Sequence, residues 1–228
     1  MSTFELAGLA AAGYRSRHEC VGATDDREWT HTLSGTGTSL TRTAVGTANL
    51  LGVLRANLGT VATNQVSIAS PGLATALLFG KGRLLFSANL KLVTLSNGTN
   101  TYTIRQGLIS SITGESANGA FFRYTHGTNS GKWQAVTRNN SSETATDTGV
   151  TAATSAYTRF DVWCNAAGTS VVFRIDGVVV ATHTTNIPTA AGREFGYGVM
   201  CLRSAGTASL DAYDVDSIDV VAETTTSR

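Results

Sequence analysis

Apolar and polar residues alternate with a period of two along much of the chain after residue 80. In the segment 157–165, single polar or mixed positions separate the apolar residues Phe160, Val162 and Cys164. Successive side chains of a β-strand point to opposite faces, so this pattern predicts strands with one face in a core. Trp163 is out of phase with the three apolar residues and is expected on the opposite face.

The same reasoning predicts nine strands, at 83–95, 101–112, 119–125, 132–138, 157–165, 170–176, 178–184, 194–203 and 209–221. Short Gly-, Asn- and Ser-containing segments separate them. Asp176-Gly177 is the strongest of these turn signals, because a type I′ turn needs positive φ at both central residues. We therefore expect a tight hairpin there, with Val171, Phe173 and Ile175 facing the core.

Many strands joined by short hairpins, with almost no helical periodicity, predict an all-β fold: a two-sheet antiparallel β-sandwich or jelly roll. The leucines of 47–58 fall near helical spacing and predict one short helix. The sequence contains no repeat and no break in composition. We therefore expect one domain, residues 16–228, preceded by an N-terminal arm, residues 1–15.

Composition excludes several classes of protein. Charged residues are only 14% of the chain and the net charge is +1, whereas a nucleic-acid-binding protein needs a concentrated basic face. No 18-residue apolar run predicts a membrane span, and no basic segment followed by an apolar one predicts a signal peptide. Cys20, Cys164 and Cys201 are expected to be buried thiols, with a Cys164–Cys201 bridge as the alternative.

A run of motifs in residues 132–221 resembles the C-terminal half of concanavalin A-like, laminin-G-type jelly rolls. It contains the FRIDG hairpin, the NIP crossover and a closing strand with Val215-Asp216-Ser217-Ile218. The resemblance implies the same jelly-roll fold, which carries lyases, hydrolases, lectins and structural proteins. In its Thr-, Gly- and Ala-rich, nearly neutral composition the chain also resembles tailed-phage virion proteins.

The catalytic patterns of this fold are missing from the sequence. Its glycoside hydrolases carry two carboxylates on one strand as E-x-D-x-x-E, but no glutamate here has an Asp two residues later. Its polysaccharide lyases pair a Q-x-H strand with an R-x-E-x-R strand, and no glutamine here has a His two residues later. His18, His31, His126 and His183 are scattered, which is typical of structural histidines. The sequence therefore predicts a protein that is not an enzyme and needs no cofactor.

The acidic residues of the last predicted strand are candidate metal ligands. Asp214 and Asp216 stand at alternating positions, so they are expected on one face, where carboxylates bind Ca²⁺. The resemblance implies a structural calcium near this strand, with Asp216 as a ligand. The alternative is that exposed carboxylates protect an edge strand from pairing with other chains.

A carbohydrate-binding face would present aromatic rings beside polar side chains. Trp133, Trp163 and Tyr124 are the candidates for stacking on a sugar. The alternative for Trp163 is that a neighbouring segment or subunit covers its ring.

Low charge suits closely packed subunit faces, and the arm carries the apolar residues Phe4, Leu6 and Leu9 without a core of its own. The sequence therefore favours a virion structural protein, made in the host cytoplasm. In this interpretation the chain is a capsid decoration or cement protein. It would form a homo-oligomer, a trimer by preference, and the arm would contact a neighbouring subunit or the capsid. The alternative is a tail-fibre adhesin that binds cell-surface carbohydrate, and the third interpretation is a lyase or hydrolase of the same fold.

Overall fold

The computed structural model describes residues 13–18, 29–43, 52–73 and 77–223. In these ranges one short 3₁₀ helix, Asn129–Gly131, accompanies the strands. No helix in these described ranges is both long and apolar enough to cross a membrane. The strands are β1 (Gly13–His18), β2 (Thr30–Ser34), β3 (Thr38–Arg42), β4 (Leu54–Leu58), β5 (Gln65–Ala69), β6 (Leu84–Leu92), β7 (Thr101–Ile109), β8 (Gly119–Thr125), β9 (Lys132–Asn139), β10 (Ser142–Thr151), β11 (Thr158–Cys164), β12 (Val171–Ile175), β13 (Val178–His183), β14 (Gly196–Ala205) and β15 (Asp211–Glu223).

These strands form two sheets. The eight-stranded sheet has the order β13-β12-β11-β6-β15-β4-β3, with β1 also paired to β15. The seven-stranded sheet has the order β10-β9-β8-β7-β14-β5-β2. Neighbouring strands are antiparallel in both sheets. The predicted two-sheet antiparallel sandwich is therefore confirmed.

All nine predicted strands are present, with ends that differ by a few residues. The prediction missed β10, because this polar strand lies at the edge of its sheet and has little apolar alternation. It also missed the strands before residue 80. The predicted helix at 47–58 is wrong where the structure describes it, because Leu54–Leu58 is β4 and pairs with β3 and β15. Of the predicted arm, residues 13–15 lie in β1.

The core lies between the two sheets. Along β6, residues Leu84, Phe86, Ala88, Leu90 and Leu92 are buried, and the intervening residues are partly exposed. Aromatic rings from both sheets meet edge to face in the middle of this layer. The ring centroids of Phe122 and Phe160 are 5.1 Å apart, and those of Phe122 and Phe173 are 5.4 Å apart. This apolar layer is the main source of stability for the sandwich.

A β-bulge interrupts β15, the longest strand. Val215 pairs with Leu90 and Ser217 pairs with Asn89, so Asp216 is the extra residue. Tyr213 and Val215 face the core before the bulge, and Ile218 and Val220 face it afterwards. The bulge therefore changes the phase of the alternation and keeps both halves of the strand in the core.

The predicted hairpin is confirmed. β12 and β13 pair antiparallel through the turn at Asp176 and Gly177, whose φ angles are 49° and 81°. Both angles are positive, as a type I′ turn requires. The side chains of Val171, Phe173 and Ile175 are buried in the core, also as predicted.

The thiols of Cys164 and Cys201 are free and buried, which confirms the first expectation and excludes the alternative bridge between them. Burial raises the pKa of the Cys164 thiol to about 12. Both thiols are therefore unreactive packing groups at neutral pH. Cys20 lies outside the described residues.

Replacing Phe173 with alanine should lower the free energy of unfolding by about 3–5 kcal/mol, because a fully buried ring leaves a cavity among Phe122 and its neighbours. The control is Val179→Ala in the same hairpin, at a residue that is 52% exposed, which should change stability by about 0.5 kcal/mol or less. Urea denaturation of both variants measures the difference. Equal, small losses would contradict the assigned faces of the hairpin.

His183 should make stability depend on pH. Its ring is buried between the sheets, with Nδ1 3.0 Å from Thr137 Oγ1 and Nε2 2.9 Å from Thr146 Oγ1, and burial lowers the pKa of this histidine. The unfolded chain therefore binds a proton more readily than the folded one. His183 therefore makes its full contribution to the free energy of unfolding at pH values above the unfolded-state pKa of about 6.5. This contribution is lost as the pH falls below that value.

Thermal melts from pH 7.5 to 5 should show a falling Tm for the native chain and a flatter profile for His183→Gln. His126→Gln, at a half-buried position just after β8, is the control for losing a histidine. A profile flattened as much in the control as in His183→Gln would contradict this origin of the pH dependence.

Candidate functional site

The outer face of the eight-stranded sheet carries rows of polar side chains that cross its central strands. One row joins Asp161 of β11, Ser87 of β6, Asp219 of β15 and Arg17 of β1, which are direct partners in the strand register. Side chains at directly opposite positions on one face lie about 5 Å apart. Residues that are far apart in the sequence are thus brought together on one surface.

A groove of about 320 Å³ opens on this face. Its volume lies within the range of about 300–1,000 Å³ that small-molecule sites occupy. The groove combines two guanidinium groups, two hydroxyls, one amide, one carboxylate and one apolar side chain. These belong to Arg17, Leu85, Ser87, Asn89, Arg159, Ser217 and Asp219.

Hydrogen bonds hold several of these groups in place. Arg15 donates to both carboxylate oxygens of Asp219, from Nε at 3.1 Å and from Nη2 at 2.6 Å. Asn89 Nδ2 donates to Asp216 Oδ2 at 3.0 Å. Arg159 Nε donates to Asp161 Oδ1 at 2.9 Å. The groove therefore presents preorganised donors and acceptors, and its charges are mostly balanced by neighbours.

Trp163 lies on the same face as the groove. Its strand partners are Leu85, which lines the groove, and Val172 on the other side. The indole is half-buried, whereas Phe160 and Val162 of the same strand are fully buried. The predicted outward orientation of Trp163 is confirmed. Together with Leu85 and Val172 it forms an apolar strip beside the polar groove.

The other two predicted sugar-binding rings are in the core. Trp133 is 3% exposed and Tyr124 is 4% exposed. Trp133 packs against Phe160 with ring centroids 4.7 Å apart, and against Tyr124 with centroids 5.7 Å apart. Buried rings offer no face to a ligand, so the structure contradicts the prediction that these two residues stack on a sugar.

The structure also contradicts the calcium prediction at Asp214. This carboxylate is 1% exposed and accepts hydrogen bonds from Arg55 Nε at 2.7 Å and Nη2 at 2.9 Å. Lys91 Nζ lies 3.6 Å from Asp214 Oδ2. A carboxylate that two basic side chains already neutralise lacks the open oxygens that Ca²⁺ requires.

Asp216 does not share the environment of Asp214, because it is the extra residue of the bulge and accepts from Asn89. Within the described parts of the chain, no three His, Cys, Asp or Glu side chains are grouped to hold a metal ion. The alternative interpretation, in which these carboxylates protect an edge strand, is also wrong, because β15 pairs with neighbours on both sides.

Sequence reasoning missed most of the groove. Ser87, Asn89 and Ser217 are ordinary polar residues at outward positions of predicted strands, and nothing in the sequence distinguishes them from other outward residues. The alternation of β6 could have predicted only their orientation, because it places Ser87 and Asn89 on the face opposite Phe86 and Ala88. Which strand lies beside which, however, is a property of the sheet topology alone.

Replacing Asp214 with asparagine should lower the free energy of unfolding by about 1–3 kcal/mol, because it removes the buried carboxylate that accepts two hydrogen bonds from Arg55. Asp211→Asn is the matched control: this carboxylate is 38% exposed and lies 3.8 Å from Arg55 Nη1, so its loss should cost about 0.5 kcal/mol or less. Chemical denaturation distinguishes the two variants. Equal losses, or a Tm of the native chain that falls in EDTA, would contradict this role of Asp214.

The fold is shared with known sandwiches. The structure aligns with a protein of unknown function, SO2946 from Shewanella oneidensis MR-1, at a TM-score of 0.67 and 15% identity, covering 96% of this chain and 90% of that one. It aligns with the carbohydrate recognition domain of Emp47p at a TM-score of 0.60 and 12% identity, covering 94% and 98%. For an endo-1,3-β-glucanase from Streptomyces sioyaensis the TM-score is 0.61 at 14% identity, covering 94% and 98%.

These neighbours confirm the concanavalin A-like jelly-roll fold, which lectin domains and glucanases share. A comparison with curated proteins gives no match. The family model described as the SO2946-like, C-terminal domain matches residues 49–216, which is more than half of the sequence. The match includes the strands β4 to β14, the first part of β15 and four of the seven residues that line the groove. The chain therefore belongs to the SO2946-like family, through the C-terminal domain of that family.

Proposed function

We propose that the chain is a non-catalytic carbohydrate-binding domain and that the groove on the eight-stranded sheet is its binding site. The observation that carries this proposal is the juxtaposition of Asn89, Ser87 and Ser217 with the apolar strip of Trp163 and Leu85. Amides and hydroxyls are suited to exchanging hydrogen bonds with sugar hydroxyls, and an indole packs against the apolar face of a sugar ring. The fold of a carbohydrate recognition domain is compatible with this role.

The lowered pKa of Glu143 supports a non-catalytic role. A hydrogen bond from Arg123 lowers the pKa of this carboxyl group. Retaining and inverting glycosidases need one carboxylic acid whose pKa is raised, so that it can protonate the leaving group. Glu115 and Glu223 are also paired with arginines. These ion pairs favour binding over acid–base chemistry.

The test is a screen of oligosaccharides on the purified chain, followed by calorimetric titration of the best ligand. Trp163→Ala and Asn89→Ala should each weaken binding about tenfold or more, which corresponds to about 1.4 kcal/mol. The control is Leu95→Ala, which truncates an exposed apolar side chain in the connection after β6, away from the groove. It should leave the affinity unchanged, and no variant should release reducing ends from the ligand.

Saccharide binding that survives both groove substitutions would overturn the assignment of the site. Release of reducing ends by the native chain would overturn the non-catalytic role. Far-UV circular dichroism and a cooperative melt establish that each variant is folded before binding is compared.

A second candidate function is the structural role in a phage virion that the composition predicts. Beyond the charge-poor composition, the exposed hairpin residues Val178 and Val179 favour it, since they are 67% and 52% exposed and could pack against another subunit. Phe4, Leu6 and Leu9, the predicted contact residues of the arm, lie outside the described residues. A folded chain that binds no saccharide in the screen would make this structural role the better proposal.

A further inference from the structure

Three arginines converge on the outer face of the seven-stranded sheet. Arg105 of β7 lies directly opposite Arg123 of β8, and Arg138 comes from the next strand, β9. Their side chains are only 9%, 14% and 13% exposed. Like charges at directly opposite positions of a sheet destabilise it, so this arrangement requires anionic partners.

The carboxylate of Glu115 contacts all three arginines. It belongs to the connection 110–118 between β7 and β8. Its Oε2 accepts from Arg105 Nη2, and its Oε1 lies 3.2 Å from Arg123 Nη1 and 3.3 Å from Arg138 Nη1. One carboxylate is thus held by three guanidinium groups, through charge-assisted hydrogen bonds and ion pairs that are stronger than bonds between neutral groups.

The cluster contains more positive charge than its carboxylates balance. The second carboxylate, Glu143 of β10, accepts from Arg123 Nη2 at 2.8 Å, so among the described residues three arginines face two glutamates. Nε of Arg105 and Nε of Arg138 are buried and make no hydrogen bond with the described residues, although Arg138 Nε lies 3.7 Å from Glu143 Oε2. Arg105 is only 7% exposed as a whole residue. The cluster therefore carries an excess of positive charge, and the Nη groups that hold Glu115 are the donors that an external carboxylate would take over.

The surroundings strengthen such binding. Arg105 Nη1 lies 3.5 Å from Met200 Sδ, and Met200 belongs to a buried apolar cluster on this face with Ile109, Phe121 and Val136. Burial is the main reason that the pKa of Arg105 falls to about 10, followed by the charges of Arg123 and Arg138. Ion pairs in such a water-poor environment are screened less than ion pairs at the surface.

The two glutamates differ in how they are attached. Glu143 is part of the β10 ladder, where it pairs with Arg138. Glu115 belongs to a connection instead of a strand, and its side chain is exposed to a similar extent, 31% against 29% for Glu143. In this connection the backbone amide of Ser110 donates to the hydroxyl of Ser116. Because Glu115 belongs to no strand, its side chain can turn away from the arginines without breaking a sheet hydrogen bond.

We propose that Arg105, Arg123 and Arg138 form a binding site for the carboxylate of a small organic anion, in which Glu115 acts as an internal substitute for the ligand. The planar fork of arginine matches the two oxygens of a carboxylate, which is the group that Glu115 places there. This site lies on the opposite sheet from the groove. Because the probe chosen below is a sugar acid, uncharged glucose is the arm that separates this test from the saccharide-binding proposal.

The experiment compares sodium glucuronate with glucose, its uncharged counterpart, by calorimetric titration of the full chain at constant ionic strength. Glu115→Gln should bind glucuronate at least tenfold more tightly than the native chain, because the internal competitor is gone. Glucose should show no such gain. Glu223→Gln is the matched control, since it removes a similarly exposed, arginine-paired carboxylate from the other sheet and should leave glucuronate affinity unchanged.

Adding Arg123→Gln to Glu115→Gln should abolish the gain. A measurement on the native chain tests the proposal even if a variant does not fold. Glucuronate should raise the Tm of the native chain more than sodium chloride does at the same ionic strength. Equal glucuronate affinity in Glu115→Gln and the native chain, an equal gain in Glu223→Gln, or no Tm difference between the two salts would each overturn the proposal.

Discussion

The β-bulge at Asp216 is the constraint on which both the packing of β15 and the groove depend. β15 pairs with β6 along most of its length, and on its other side with β4 and then β1. Without the extra residue, a strand with Val215 in the core would place Ile218 outside it. With the bulge, Ile218 returns to the core, and Ser217 and Asp219 line the groove. One inserted residue therefore serves the hydrophobic core and builds the polar site.

The chain uses its few charges in fixed pairs rather than as a diffuse surface layer. Arg55 holds Asp214 through two hydrogen bonds, and Arg15 holds Asp219 in the same way. Such bidentate pairs orient side chains as well as neutralising them. As a result, the binding proposed at the groove depends on the placement of hydroxyl and amide groups more than on net charge. The arginine cluster of the other sheet is the exception, because there the positive charge exceeds the negative.

The same sandwich supports a glucanase and a carbohydrate recognition domain among its structural neighbours, so the fold alone does not decide between catalysis and binding. Whether a protein of this fold catalyses a reaction or only binds depends on which side chains its two outer faces present. In this chain, Glu115 and Glu143 are both paired with arginines, and the hydrogen bond from Arg123 lowers the pKa of Glu143. The proposed functions of both faces rest on binding, and each face provides a distinct chemistry for it.

The sequence by itself determined the strands that have a clear alternation and the faces of their side chains. Phe173 faces inward and Trp163 faces outward because their strands are apolar on one face and mixed on the other. The Asp176-Gly177 turn was equally predictable, because few residues tolerate positive φ. These features follow from local rules of strand geometry and turn conformation.

The tertiary structure alone decided the rest. Trp133 and Tyr124 were misassigned because β8 and β9 carry apolar residues on both faces: Phe121 and Val136 form a second apolar cluster outside the core. Asp214 was misassigned because its partner Arg55 lies 159 residues away in the sequence. The groove likewise joins residues of four strands that only the sheet order makes neighbours. Strand alternation tells which face a side chain occupies, but long-range pairing determines what that side chain meets there.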